Sequence, residues 1–236
     1  MTVPAITEYE RRTTHSRNPL ARFSHRARLR EAMTLVRRYL PENGTMLDFG
    51  CCGGELLRQV RRELPAAQLY GLDPFSSPGE DYTHLRAASE CGELSFDVIT
   101  AFEVLEHLND DATGAFLALV RKHLAMTGVC AVSAPNMLGP VLAPKLLHAL
   151  FAGGSALNYN AAETARAALA LQSPRRLPQS PNGTMRHKGY DWRQSRARIV
   201  REFAIVSERF TPLPRLWWGF NSQWFCVFRR QSPQTG

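Results

Sequence analysis

The chain predicts an α/β fold built on a mostly parallel sheet, and three observations predict it. Short, nearly all-apolar runs (46–49, 68–73, 96–102 and 128–134) alternate with stretches of helical periodicity. Strands without polar alternation are buried on both faces, as the strands of a covered parallel sheet are. The first run leads into a glycine turn, Gly50-Cys51-Cys52-Gly53-Gly54, and a helical pattern opens at Glu55. Acids mark the ends of this unit, with Asp48 inside the first run and Asp73 closing the second.

The elements follow in order. Residues 1–19 show no periodicity and are expected to form a flexible basic arm ahead of a single domain over 20–236. Between Leu20 and Leu40 the residues Leu29, Ala32, Met33, Val36 and Leu40 recur at helical spacing, and Pro41 ends the pattern. A helix is expected over 55–64, stopped by Pro65, and another over 111–124, with Phe116, Leu119 and Val120 on one stripe. After Asn136 the rhythm breaks. An apolar stretch, 137–151, is followed by an alanine-rich helix over 161–171 and a proline-rich polar run. The segment 137–189 therefore reads as an insertion or lid. A helix over 193–203 and strands over 204–210 and 222–228 complete the chain.

Composition narrows the class. With 236 residues, 44% hydrophobic and 21% charged, the chain has ordinary globular proportions. No apolar run reaches the roughly 18–20 residues that a spanning helix needs. The first residues lack the apolar core of a signal peptide. Five cysteines without a C-x-x-C pair point to a reducing compartment, so a cytoplasmic location is expected. The net charge of +8 has two readings, a solvated arginine-rich arm and a face for anionic partners. Few aromatics interleave with the arginines of the first forty residues, so no base-stacking nucleic-acid platform is indicated.

The glycine turn carries the chemistry. A strand, a glycine turn and a helix start let backbone N–H groups close on a ligand without side chains in the way. A dinucleotide site wants Gly-x-Gly-x-x-Gly without an acid in the turn. Here Asp48 lies two residues before the first glycine, which suits a cationic ligand bearing hydroxyls. The run Asp48-Phe-Gly-Cys-Cys-Gly-Gly54 resembles motif I of the class I S-adenosylmethionine (SAM)-dependent methyltransferases. Two further segments support the resemblance. Phe96-Asp-Val-Ile-Thr-Ala-Phe-Glu-Val-Leu-Glu-His-Leu108 is similar to the fourth strand and turn of small-molecule methyltransferases, including the ubiquinone-pathway O-methyltransferases. Leu124 to Asn136 is similar to the helix end, glycine turn and fifth strand of the same group.

The resemblance implies a Rossmann-like, doubly wound, seven-stranded sheet with an antiparallel C-terminal edge. It implies SAM contacts at Asp48, Gly50, Cys51, Cys52, Gly53, Gly54, Asp73, Pro74, Phe102 and Glu103. Asp48 would orient the turn, and Asp73 would accept hydrogen bonds from the ribose hydroxyls. Ala88, Ser89 and Glu90 are the nearest positions for the adenine. His107 and Glu103 are the candidate catalytic residues, His107 as a base toward an acceptor hydroxyl. Asn136 would face the acceptor. Some relatives hold a divalent ion with E-x-x-E-H and a further histidine, which would be Glu103, Glu106, His107 and His187 here.

One position departs from the family pattern: Cys52 stands where motif I has its middle glycine. A Cβ there costs about 1–2 kcal/mol if the backbone is left-handed. A reactive thiol at Cys51 or Cys52 is a further expectation, beside packing. The expected function is O-methylation of a small apolar or glycan- or lipid-linked metabolite. Its rivals are a metal-dependent RNA 2′-O-methyltransferase and a SAM-binding protein with a degenerate site. The apolar 137–151 stretch reads as an ordinary buried helix, as a cap over a hydrophobic acceptor or as a membrane-surface contact.

Overall fold

A computed structural model describes residues 19–143, 160–175 and 188–231. The expected basic arm and His187 lie outside them. Seven strands form one sheet in the order β3-β2-β1-β4-β5-β7-β6. They are β1 (Thr45–Phe49), β2 (Gln68–Leu72), β3 (Thr83–Leu85), β4 (Phe96–Phe102), β5 (Leu124–Pro135), β6 (Phe203–Thr211) and β7 (Gln223–Arg230). The helices are α1 (Pro19–Tyr39), α2 (Glu55–Glu63), α3 (Asp110–His123), α4 (Ala161–Ala168) and α5 (Trp192–Glu202). The expected architecture is present: β1 pairs in parallel with β2 and β4, β2 with β3, and β6 with β7 antiparallel.

Two compact units divide the chain, one of 1–102 with 119–131 and one of 103–118 with 132–236. In the first, the apolar stripe of α1 buries Ala32, Met33 and Val36, and α2 buries Leu56, Leu57 and Val60. Strand centres Met46, Leu47, Val98 and Ile99 are at most 1% exposed, which is why those runs are mostly apolar. Arg37 on α1 forks onto Glu63 on α2, donating at 2.6 and 2.7 Å.

In the second unit, Trp192, Phe210, Trp218 and Trp224 pack as edge-on and tilted rings with centroids 5.0–6.3 Å apart. The aromatic C-terminal segment is thus partly core. Leu138 and Leu142 are fully buried against Ala167 of α4, so the apolar stretch after Asn136 begins as core packing. The Asn160 side chain and Glu163 form a capping box at the start of α4. Glu163 also holds the buried ammonium of Lys188 at 2.9 Å. Among the described residues, no helix is long and apolar enough to cross a membrane.

Candidate functional site

In the first unit the site is a turn built on alternating left-handed residues. Gly50, Cys52 and Gly54 have φ of 75°, 46° and 72°. The Cys52 Cβ therefore sits in a conformation that costs about 1–2 kcal/mol for an L-residue. Backbone bonds offset this. Gly50 N–H donates to Leu72 O and Gly54 N–H to Cys51 O, both at 2.7 Å. Cys52 N–H donates to Asp73 Oδ2 at 2.9 Å, and Phe75 N–H donates to Asp73 Oδ1 at 2.8 Å. Asp73, at the end of β2, is thus the acid that holds the turn.

This corrects the expectation that Asp48 orients it. Asp48 lies level with Thr100 on β4, and its Oδ1 accepts the Thr100 hydroxyl at 2.7 Å. Both acids are buried. Burial pushes the Asp48 carboxyl up to about 7; the Thr100 bond opposes this and the Asp73 charge adds to it. Among the described residues neither acid is paired with a lysine or arginine. A buried carboxylate without a cation is the costly arrangement, and a cationic ligand relieves it.

Tyr82, which precedes β3, is a residue that sequence reasoning missed. A Cβ on Gly54, Gly71 or Gly79 would meet its ring at 2.4, 2.6 and 2.4 Å. The ring seats against the turn because all three positions lack a side chain. The Cys51 thiol shares that seat, 2.7 Å from where a Gly71 Cβ would lie. Burial, with the charges of Asp48 and Asp73, pushes this thiol up to about 12. Cys51 is therefore packing material, which corrects the reactive-thiol reading for that residue. Of the other predicted contacts, Gly53 offers its carbonyl to Arg58, Pro74 is exposed beyond β2, and Phe102 is half-buried at the end of β4. Ala88, Ser89 and Glu90 form an exposed 3₁₀ turn.

The second unit begins at Glu103, another left-handed residue, with φ of 58°. Its carboxylate accepts the Ser133 hydroxyl at 3.0 Å and the Gln223 amide at 3.3 Å. Its N–H donates to Ser133 O at 3.1 Å. A strained non-glycine residue persists only where its surroundings over-determine it, as three bonds from β5 and β7 do here. Leu105–His107 forms a 3₁₀ turn in which Glu106 is fully buried. His107 Nε2 lies 3.9 Å from Glu106 Oε1, and the imidazole side chain is 37% exposed. Among the described residues no group of three or more His, Cys, Asp or Glu is arranged to hold a metal ion.

Asn136 does not face an acceptor. It is fully buried, donates to Trp218 O at 3.1 Å and Asn221 O at 2.9 Å, and accepts Leu138 N–H at 3.1 Å. Its amide latches the end of β5 to the β6–β7 connection. Ser133, Asn221 and Gln223 were not singled out in sequence, because bonds across 30 to 120 residues leave no local signal.

The first-unit geometry fits SAM. The sulfonium and ammonium of that cofactor would offset two buried carboxylates that have no lysine or arginine partner among the described residues. Each Asp73 oxygen accepts one N–H and keeps further acceptor capacity for hydroxyls. A family model described as a methyltransferase domain matches residues 22–232. No curated protein sequence matches the chain. Among solved structures, the chain is similar to the PH0226 protein of Pyrococcus horikoshii (12% identity, 95% of this chain and 99% of that one, TM-score 0.57). It is similar to the 1,6-didemethyltoxoflavin-N1-methyltransferase of Burkholderia thailandensis, solved with S-adenosylhomocysteine (16% identity, 89% and 81%, TM-score 0.56). It is also similar to the cyclopropane synthase MmaA2 of Mycobacterium tuberculosis (15% identity, 84% and 67%, TM-score 0.51). At these identities the likeness is one of fold. With the family match over nearly the whole described chain and a turn suited to a sulfonium nucleoside, this chain belongs to the methyltransferase domain family and is a SAM-dependent methyltransferase.

Proposed function

We propose that the chain methylates a hydroxyl of a small metabolite, apolar or carried on a glycan or lipid. The observation that carries the reading is the turn after β4. There Glu103 is held left-handed by Ser133 and Gln223, and a half-exposed His107 follows four residues later beside the buried Glu106. When bound, SAM supplies a methyl group already activated on its sulfonium. The chain's own task is then alignment, exclusion of water and removal of one proton.

In this reading Asp48 holds the cationic end of the cofactor, and Asp73 holds the ribose side while keeping the turn closed. Gly50, Gly53 and Gly54 let the backbone approach, and Cys51, Cys52, Pro74 and Phe102 line the crevice. Glu103 positions the cofactor from the end of β4. His107 Nε2 takes the acceptor's hydroxyl proton, with Glu106 Oε1 lying 3.9 Å from that nitrogen. An acceptor without a transferable proton would leave that pair idle. The segment 137–189, of which 144–159 and 176–187 lie outside the described residues, is the stretch assigned to an acceptor lid in this reading. All five cysteines are free thiols, which supports the cytoplasm as the compartment.

The test is a cell extract incubated with the purified chain and SAM labelled in its methyl group. The reading expects label in a small molecule as a methyl ether stable to mild base. Replacing His107 with Asn should lower turnover by about 10²-fold or more while leaving SAM binding intact. Label found in RNA, protein or an amine would overturn it.

A further inference from the structure

The connection between β6 and β7 carries apolar side chains that the core does not use. Leu213, Leu216, Trp217 and Phe220 are each between 48% and 53% exposed. Monomeric proteins seldom leave several large apolar side chains of one short loop in water without a use for them.

The exposure is built in. Asn221, fully buried, accepts Leu213 N–H at 2.6 Å and donates to Leu213 O at 3.0 Å and Trp217 O at 3.3 Å. Backbone bonds from Leu216 N to Leu213 O and from Phe220 N to Trp217 O, both 3.0 Å, tighten the same loop. Trp217 lies over Gly219, where a Cβ would meet its ring at 2.4 Å, and its edge-on contact with Phe220 spans 5.9 Å between centroids. The backbone is thus pinned from below, and its apolar side chains stay outside.

Charge says what covers them. Arg215 stands exposed among these side chains, with no ion-pair partner among the described residues. Arg209, near the loop end of β6, and Arg215, in the loop itself, carry positive charge within a chain of net charge +8. Tryptophan, phenylalanine and leucine with interspersed arginine are the residues that seat a protein at the boundary of headgroups and acyl chains. Anionic headgroups attract the arginines over the distance that salt allows.

We propose that the Leu213–Phe220 loop is a docking surface for an anionic phospholipid bilayer, with Leu216, Trp217 and Phe220 entering the interface and Arg215 on the headgroups. The loop is tied through Asn136 to the end of β5 and through Gln223 to Glu103. Docking therefore sets the bilayer beside the turn that carries Glu103 and His107. The proposal does not depend on the hydroxyl acceptor, since vesicle binding is read without turnover.

The experiment is co-flotation of the full chain with vesicles of phosphatidylcholine alone and of phosphatidylcholine with one-third phosphatidylglycerol. Brominated lipids read tryptophan depth. The expected result is binding to the anionic vesicles, weakened by salt, with quenched tryptophan fluorescence. A double variant, Leu216→Ser with Trp217→Ser, should lose binding at least tenfold, and Arg215→Glu severalfold, with thermal unfolding unchanged. No binding to anionic vesicles would overturn the proposal, as would binding that both variants retain. If the double variant instead converts a dimer to a monomer, or weakens turnover of a water-soluble acceptor without changing flotation, the loop serves a second copy or the acceptor and the proposal fails.

Discussion

The backbone N–H of Cys52 donates to the carboxylate of Asp73 at 2.9 Å. The residue that breaks the glycine pattern of the turn is thus held in its left-handed conformation by the acid that closes the second strand. Within the turn, the left-handed strain on a non-glycine residue falls on position 52, between Gly50 and Gly54.

Cys52→Gly should therefore help. It removes a left-handed Cβ worth about 1–2 kcal/mol, against roughly 0.5–1 kcal/mol of added chain entropy in the unfolded state. Thermal unfolding is expected to rise slightly or stay level, and SAM affinity by calorimetry to improve severalfold. A variant that binds SAM more weakly would show that the Cys52 side chain itself contributes to the site.

The thiols should separate by labelling. Cys52 is half-buried, whereas Cys51 is buried with its thiol pushed up to about 12. Iodoacetamide on the native protein near pH 8 should modify Cys52 well before Cys51, because the thiolate is the nucleophile. Saturating SAM should slow the Cys52 reaction. Peptide mass mapping reads both rates.

Asp48 should link pH to stability and to cofactor binding with opposite signs. Its carboxyl is raised from 3.8 to about 7, so the folded state holds the proton more tightly than the unfolded state. That contribution is present below the unfolded value and is lost as pH rises through about 7. Asp48→Asn should stabilise the cofactor-free protein above pH 7, with an upper bound on the order of 4 kcal/mol. SAM affinity of the parent should fall as pH drops through that range, and the Asn variant should lose this dependence. Melting temperatures and calorimetry at several pH values check both.

Asn136→Ala should cost stability rather than selectivity. The side chain makes three hydrogen bonds in a fully buried position, and the carbonyls of Trp218 and Asn221 would lose its amide. A loss of about 2–4 kcal/mol is expected, from unsatisfied buried groups and a small cavity. Denaturant unfolding measures it, and the ratio of kcat/KM between any two acceptors should not move.

Much of this was legible in the residues because periodicity and turn chemistry are local. Phe96–Phe102 appears with the boundaries that its apolar run gives, and the glycine turn sits between strand and helix as its spacing requires. Thr83–Leu85 was not foreseen, since three residues carry too little alternation to stand out. Strand β5 begins four residues early, at Leu124, because sheet pairing overrides the helical pattern there. Tyr82 escaped because its partners Gly54 and Gly71 are glycines, which signal a close approach without saying what approaches. The division of labour between Asp48 and Asp73 was hidden for the same kind of reason. Which acid meets the Cys52 N–H depends on how β1 and β2 pair, and spacing along the chain does not encode that.

Titration calorimetry of SAM into the parent and into Asp73→Asn tests most directly whether these acids grip the cofactor. One molecule bound per chain is expected for the parent, with affinity at least tenfold weaker in the variant, a loss of about 1.4 kcal/mol or more. Equal affinity in the two proteins, with both still folded, would contradict the assignment of this turn as the SAM site.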